Sequence, residues 1–216
     1  MNKKNAAEKI ITNSTVVIIL FVWIVTSISG LVDQNLVPTP QSVFVAFVDI
    51  MENGYKNYTL LEHLGESMKR LLTAFLFASV TAVPLGLLSG CNSKIRAIFE
   101  PIIEFYRPLP PLAYYTLLIL WIGIDNGSKI ALLFLACFAP AYLSCVSAVL
   151  KIKEDYINSA YTVGANRTQI IIHVIFPACL PDIFTGLRTS LGVAYTTLVS
   201  AEMVAANSGI GWMVLD

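Results

Sequence analysis

Residues Lys129–Leu150 read KIALLFLACFAPAYLSCVSAVL, and after the opening lysine no charged side chain occurs in the remaining 21 positions. About 20 predominantly apolar residues in a helix cross the roughly 30 Å hydrocarbon core of a bilayer. The block shows neither a period-two alternation nor a polar face opposite an apolar one, so it is a helix surrounded by lipid or protein on every side. Working outward, four further blocks have the same character: Ser14–Val32, Ser67–Gly90, Ile95–Ile124 and Ile183–Ala206. Composition agrees, with 56% hydrophobic and 13% charged residues against about 25% charged in soluble domains, and a mean hydropathy of +0.71. The expectation is an all-α, polytopic transmembrane helical bundle of about five spans, a single domain over 1–216 with the bundle at about 14–206. The connecting stretches are too short for a soluble domain, and no internal repeat or low-complexity stretch stands out.

The formal net charge is zero, so charge balance points to no nucleic acid or other polyanion. Met1–Lys9 is basic, but no small-residue cleavage site closes the apolar run after it, which reads as a retained span. By the lysine and arginine distribution, Lys3, Lys4 and Lys9 put the N-terminus in the cytoplasm. The acidic connection Asp33–Glu62 then lies outside, and Lys94, Arg96, Lys151, Lys153 and Arg167 inside. Lys69 and Arg70 run against this count and either snorkel or face the bundle. An amphipathic helix is expected around Ser42–Met51 on the outer surface. The third block is too long for one straight crossing, since 30 helical residues extend about 45 Å. Pro108, Pro110 and Pro111 should break it, and irregular backbone at membrane depth is tolerated only where protein or a watery cavity covers it. Arg107–Tyr115 is therefore a candidate pathway element. Five spans leave the C-terminus outside, and Asn207–Asp216 reads as an external turn leading into a further span absent from the chain.

Lys151–Asp182 is the longest polar interruption in the second half. Ile157, Ala160, Tyr161 and Gly164 share one helix face, and Gly164 is a natural C-terminal stop. Asn166 can cap a second helix, with Gln169 in capping-box register, which Pro177 should end. The pattern fits a helix–turn–helix on the cytoplasmic face, and by itself is equally consistent with an ordinary loop.

Asn158-Ser159-Ala160-x-x-x-Gly164-Ala165, followed by Val174-Ile175-Phe176-Pro177, resembles the EAA loop of binding-protein-dependent ABC importer permeases. Asn158, Ser159 and Phe176 replace the usual Glu, Ala and Leu. Pro101–Tyr114 (PIIEFYRPLPPLAY), Trp121–Ile124, Ser128–Ile130, Pro177–Pro181, Thr185–Arg188 and Ala201–Gly211 are similar to the taurine, sulfonate and nitrate branch, and most like taurine permeases. The resemblance runs from about Leu36 to the end. It implies a type I ABC importer permease-like fold in a bacterial inner membrane, multi-pass with a cytoplasmic N-terminus. It further implies a homodimer fed by a periplasmic substrate-binding protein and driven by a separate ATP-binding subunit. That subunit would dock on Asn158, Ser159, Ala160, Gly164, Ala165 and Pro177. Other small anions (alkanesulfonate, nitrate), an inactive truncated permease and an ion-coupled secondary transporter are the competing readings.

Charged side chains within spans cost roughly 2.5–3.5 kcal/mol each at the centre. Glu104 and Arg107 are three apart, placed to pair on one helix face; alternatively Arg107 faces the pathway, where its donor fork suits sulfonate oxygens. Arg107, Pro108, Pro110, Tyr114 and Glu202 are the candidate path residues. His63 and His173 stand alone and read as surface or interface residues, and Cys91, Cys137, Cys145 and Cys179 lack metal or redox spacing. No metal site and no nucleophile–base pair is recognised, nor any Gly-rich phosphate loop. The chain is thus expected to bind no cofactor and to be no enzyme, ATP being hydrolysed on the partner.

Overall fold

The computed structural model describes residues 3–29, 32, 33 and 36–214, with side chains from residue 11 onward. The side chains of Lys3, Lys4 and Lys9, on which the expected orientation leans, and the last two residues lie outside that range. The chain divides into two compact units, Met1–Leu60 and Leu61–Asp216.

In the first unit, α1 (Lys3–Ile28) contains the apolar window Ile11–Ile28, long enough to cross a membrane. Near its end Trp23 Nε1 donates to Pro38 O at 3.2 Å. The expected amphipathic helix is α2 (Pro40–Asn53). Thr39 caps it by accepting from Ser42 N, Pro40 occupies the first turn where its missing N–H costs nothing, and Gly54 at φ +72° ends it. None of its residues is buried, and Phe44, Phe47 and Met51 leave a large apolar surface uncovered within this unit.

The second unit is built on three long helices, α3 (Leu60–Cys91), α6 (Asn126–Leu150) and α9 (Phe176–Ala205). Among the described residues four helical stretches are long and apolar enough to cross a membrane, Ile11–Ile28, Leu60–Cys91, Asn126–Leu150 and Arg167–Ala205. The expected third span is instead two shorter helices, α4 (Ser93–Tyr106) and the apolar α5 (Pro111–Ile122), parted at Arg107–Pro110 where the prolines require it. The shorter α7 (Glu154–Thr162), α8 (Arg167–Ile170) and α10 (Ile210–Met213) complete the chain. Helices α3 and α6 run parallel: Arg70 meets Asn126 at one end, and Gly86 and Gly90 lie against Cys145 and Val149 toward the other. Helix α9 runs antiparallel to both, with Ser190 Oγ donating to Cys137 O at 2.6 Å and Ser67 meeting Glu202.

Small residues set these separations. A Cβ on Gly86 would sit 2.6 Å from Cys145 Cβ, and one on Gly186 would overlap Ser144 Cβ. Without a hydrophobic driving force between helices in lipid, such close backbone approach carries the packing. Ala74, Ala78, Ala82, Ala194 and Ala201 are fully buried in the same seams. All four cysteines are free thiols, and Cys137, Cys145 and Cys179 pack as buried small apolar groups.

One expectation fails. Pro177 does not end the second cytoplasmic helix. A π turn over Ile171–Ile175 carries α8 without interruption into α9, which starts at Phe176 rather than near Ile183. A proline crowds the carbonyl four residues back, here that of His173, and the wider π turn opens the backbone at that place.

Candidate functional site

Three polar regions stand out within the second unit. The first is the elbow formed by α7 and α8. Gly164 at φ +86°, with Gly164 N donating to Tyr161 O at 2.9 Å and Ala165 N to Ala160 O at 3.1 Å, makes a Schellman stop that only glycine takes without strain. Two residues later Asn166 and Gln169 form the expected capping box, at 2.9 Å and 2.8 Å. Ile157, Ala160 and Ala165 pack inward against the cluster of Ile170, Ile175 and Cys179. Tyr161, expected on that face, is 51% exposed instead, and Val163 is 87% exposed. Asn158, Ser159, Gly164 and Pro177 are exposed as well. Within α7, Asn158 O accepts from Thr162 Oγ1 at 2.9 Å and Ser159 Oγ donates to Asp155 O at 2.7 Å.

The second region lies beside the break in the third span. Arg107, Pro108 and Pro110 are exposed, and Tyr114 is half-buried. The Glu104–Arg107 pair does not form: among the described residues neither side chain has an ion-pair or hydrogen-bond partner, and both are exposed. Arg107 lines two adjoining clefts. One, of about 280 Å³, includes Tyr106, Tyr114 and Pro140. The other, of about 390 Å³, runs between α6 and α9 past Ser144, Ser147, Thr185 and Thr189 to Lys151 and Asp182. Lys151 Nζ stands 3.5 Å from Asp182 Oδ1 there.

The third region is at the opposite end of the bundle. Arg70, 4% exposed, and Glu202, fully buried, form an ion pair at 2.6 Å. Arg70 Nε donates to Asn126 Oδ1 at 2.7 Å, and its terminal nitrogens donate to Ser208 O and Oγ at 2.8 and 3.1 Å. Glu202 also accepts from Ser67 Oγ at 2.8 Å and from Gly211 N at 2.9 Å. Ile210 N donates to Ser67 Oγ and Gly209 N to His63 Nδ1, and His63 stacks on Trp212. A Cβ on Gly209, at φ +126°, would fall on the Glu202 carboxylate. Every charged oxygen and nitrogen here has a protein partner, and the segment 207–212 is thereby fastened back onto α3.

Thus the break residues Arg107, Pro108, Pro110 and Tyr114 lie together, whereas Glu202 lies apart in the buried cluster at the far end. His63, expected at a surface or interface, is wholly buried; His173 is exposed, with Nδ1 3.1 Å from Gln169 O. The sequence reading missed Ser67, Asn126 and Ser208 as partners, although Arg70 and Glu202 are opposite charges within apolar blocks and the antiparallel course of their helices brings such ends together. It also missed Ser144, Ser147, Thr185 and Thr189, whose three- and four-residue spacings were a legible stripe.

A family model described as binding-protein-dependent transport system inner membrane component matches residues 82–216. The chain is 40% identical over 201 residues to the taurine transport system permease protein TauC of Escherichia coli, covering 93% of this chain and 73% of that protein. It is 32% identical over 199 residues to SsuC of Bacillus subtilis, whose name assigns it to aliphatic sulfonates transport, with 92% and 71% covered. Against the bicarbonate transport system permease protein CmpB of Synechococcus elongatus it is 26% identical over 205 residues, with 91% and 73% covered.

Proposed function

This chain belongs to the family of binding-protein-dependent transport system inner membrane components, and from that premise we propose that it is the permease subunit of an ATP-driven importer for taurine or a closely related sulfonate. It works as a homodimer in the inner membrane with its N-terminus in the cytoplasm. A substrate-binding protein delivers cargo at the end holding Glu202, and a separate ATPase docks at the α7–α8 end. The chain itself binds no cofactor; the ATP that drives the cycle sits on the partner.

The observation that carries the coupling role is the rigid, exposed elbow at Gly164. Two short helices meet there through a Schellman stop and a capping box, so the corner holds its angle when pushed. The face it presents outward includes Asn158, Ser159, Tyr156 and Val163. The other side packs on Ile170 and Cys179, and the backbone continues through the π turn into α9. Force applied to α7 is therefore passed to a helix that lines the Arg107 cleft. Closure of the ATPase pair would rock α9 against α6 and open the cleft to one side or the other.

Taurine is favoured over other small solutes with an oxyanion group by the 40% identity to a taurine permease; the exposed Arg107 fits all of them and does not choose among them. An ion-coupled transporter would need carboxylates near the midplane; the buried carboxylate Glu202 is near one end and fully committed to Arg70 and Ser67.

Gly164→Pro is the test of docking. Proline fixes φ near −65°, far from +86°, and removes the N–H that bonds Tyr161 O. Co-purification of the ATPase subunit should be lost while the variant still inserts into membranes. Retained co-purification would overturn the docking role.

A further inference from the structure

We propose that the cleft between α6 and α9 is a binding site for a small oxyanion, with Arg107 as its deep cation and the Lys151–Asp182 pair as its mouth. The inference rests on the permease reading above and assigns the site within it.

Depth comes first. Pro140 and Thr189 line both clefts beside Arg107. Pro140 precedes Lys151, the residue capping the end of α6, by 11 positions, which is about 16 Å along a helix and about half the hydrocarbon thickness. Arg107 thus stands near the midplane, exposed and with no partner among the described residues. A guanidinium facing acyl chains at that depth is costly, and within the protomer the cleft is the space Arg107 faces.

Lining chemistry then selects the ligand. Two cations, Arg107 and Lys151, stand against one carboxylate, Asp182, so the cleft carries a surplus positive charge that favours an oxyanion group, the sulfonate end of a zwitterion such as taurine included. The hydroxyls of Ser144 and Ser147 make no hydrogen bond among the described residues, leaving two free donors on the same wall. Thr185 and Thr189 donate to their own helix, at 2.8 and 3.0 Å, and turn only acceptor oxygens and methyl groups outward. A planar donor fork with two hydroxyl donors matches the several oxygens of one sulfonate, nitrate or bicarbonate group. The volume of about 390 Å³ is at the small end of ligand sites, which excludes bulky cargo.

The mouth supplies control. Asp182 lies 3.5 Å from Lys151 and competes with an incoming anion for that ammonium. Both residues sit where a motion of the elbow would reach them, Lys151 capping α6 just before α7 and Asp182 on α9. A shift of α9 that parts the pair frees Lys151 to receive the anion from Arg107. A retained pair leaves the anion deeper, on Arg107 alone. Passage is thereby divided into two short steps between weak sites, which avoids a single tight trap.

The test uses the chain assembled with the ATPase subunit and substrate-binding protein of its own transport system in proteoliposomes. Uptake of labelled taurine, nitrate and bicarbonate is measured at several concentrations. Arg107→Gln should lower uptake of the transported anion about tenfold or more, Arg107→Lys should keep a measurable part of it, and Ser144→Ala with Ser147→Ala should raise KM several-fold with little change in maximal rate. Elution of each purified complex at the wild-type position controls for folding. Wild-type uptake of nitrate or bicarbonate without taurine overturns the taurine reading and leaves the cleft to be judged by the same variants on that anion. Full uptake in Arg107→Gln overturns the cleft. No uptake of any small oxyanion by the wild type overturns both.

Discussion

Two arginines within one helical bundle have opposite surroundings. Arg70 is 4% exposed and spends its donors on Glu202, Asn126 and Ser208. Arg107 is exposed and spends none on the described protein. Taking either charge out of water costs free energy, and the two surroundings offset it differently. At the far end, charge is neutralised internally and the return is a fixed joint between α3, α6, α9 and the segment after α9. In the cleft no protein group pairs with the Arg107 side chain among the described residues, and the one carboxylate there, Asp182, is paired with Lys151. A satisfied buried network rigidifies, whereas an exposed, unpaired guanidinium is open to a ligand.

The sharpest way to break that contrast is to remove Glu202. Glu202→Ala leaves buried Arg70 with only the half-exposed Glu66, 3.8 Å away, as a counter-charge, and removing one member of a buried pair costs about 3–5 kcal/mol. Thermal unfolding of the purified chain should show a large fall in Tm. Replacing both partners by apolar residues of similar size, Arg70→Met with Glu202→Leu, should recover most of it, because no uncompensated charge remains. Should Glu202→Ala instead keep its Tm and lose only uptake, the carboxylate belongs to the pathway and the joint is not what holds that end together.

How much of this contrast could be read from sequence differs between the two regions. Four of the five expected spans were legible because length and uninterrupted apolarity suffice to place them, and the break at Arg107–Pro110 because proline chemistry is local. The elbow was legible for the same reason: Gly164, Asn166 and Gln169 act on backbone within five residues of themselves. The buried cluster was not. Ser67 and Glu202 are 135 positions apart, and only the antiparallel packing of α3 and α9 brings them together, so Glu202 read as a path residue and His63 as a surface or interface one. The continuity of α8 into α9 was also hidden, because a π turn carries no composition signature and Pro177 argues locally for a stop.

A medium effect comes from the wall between the two regions. Gly186 allows α9 to touch α6 at Ser144, where any Cβ would overlap the serine side chain. Gly186→Ala should cost about 1–3 kcal/mol by overpacking, lower Tm accordingly and reduce uptake, because the same seam floors the cleft. Adding Ser144→Gly makes room for the methyl group and should restore Tm. It also deletes one of the free hydroxyls, so uptake affinity should recover less than stability does. Equal recovery of both would mean that Ser144 serves the packing alone.

The smallest effect on stability is the one that separates the two regions best. Lys151 and Asp182 are both partly solvent-exposed, 67% and 46% at their side chains, and 3.5 Å apart; exposed pairs of this kind contribute about 0–1 kcal/mol. Neither Lys151→Gln nor Asp182→Asn should move Tm measurably, in contrast to Glu202→Ala. Their effects on transport should have opposite signs. Lys151→Gln removes the cation at the mouth and should raise KM for the anion about threefold or more, the range of one partly screened charge contact. Asp182→Asn removes the competitor and should lower KM or leave it unchanged, never raise it. A pair that merely braces α6 against α9 would respond alike to loss of either member, since the bond is gone in both. Initial uptake rates for the two variants at low and saturating anion therefore decide whether the mouth is a brace or a step in the path.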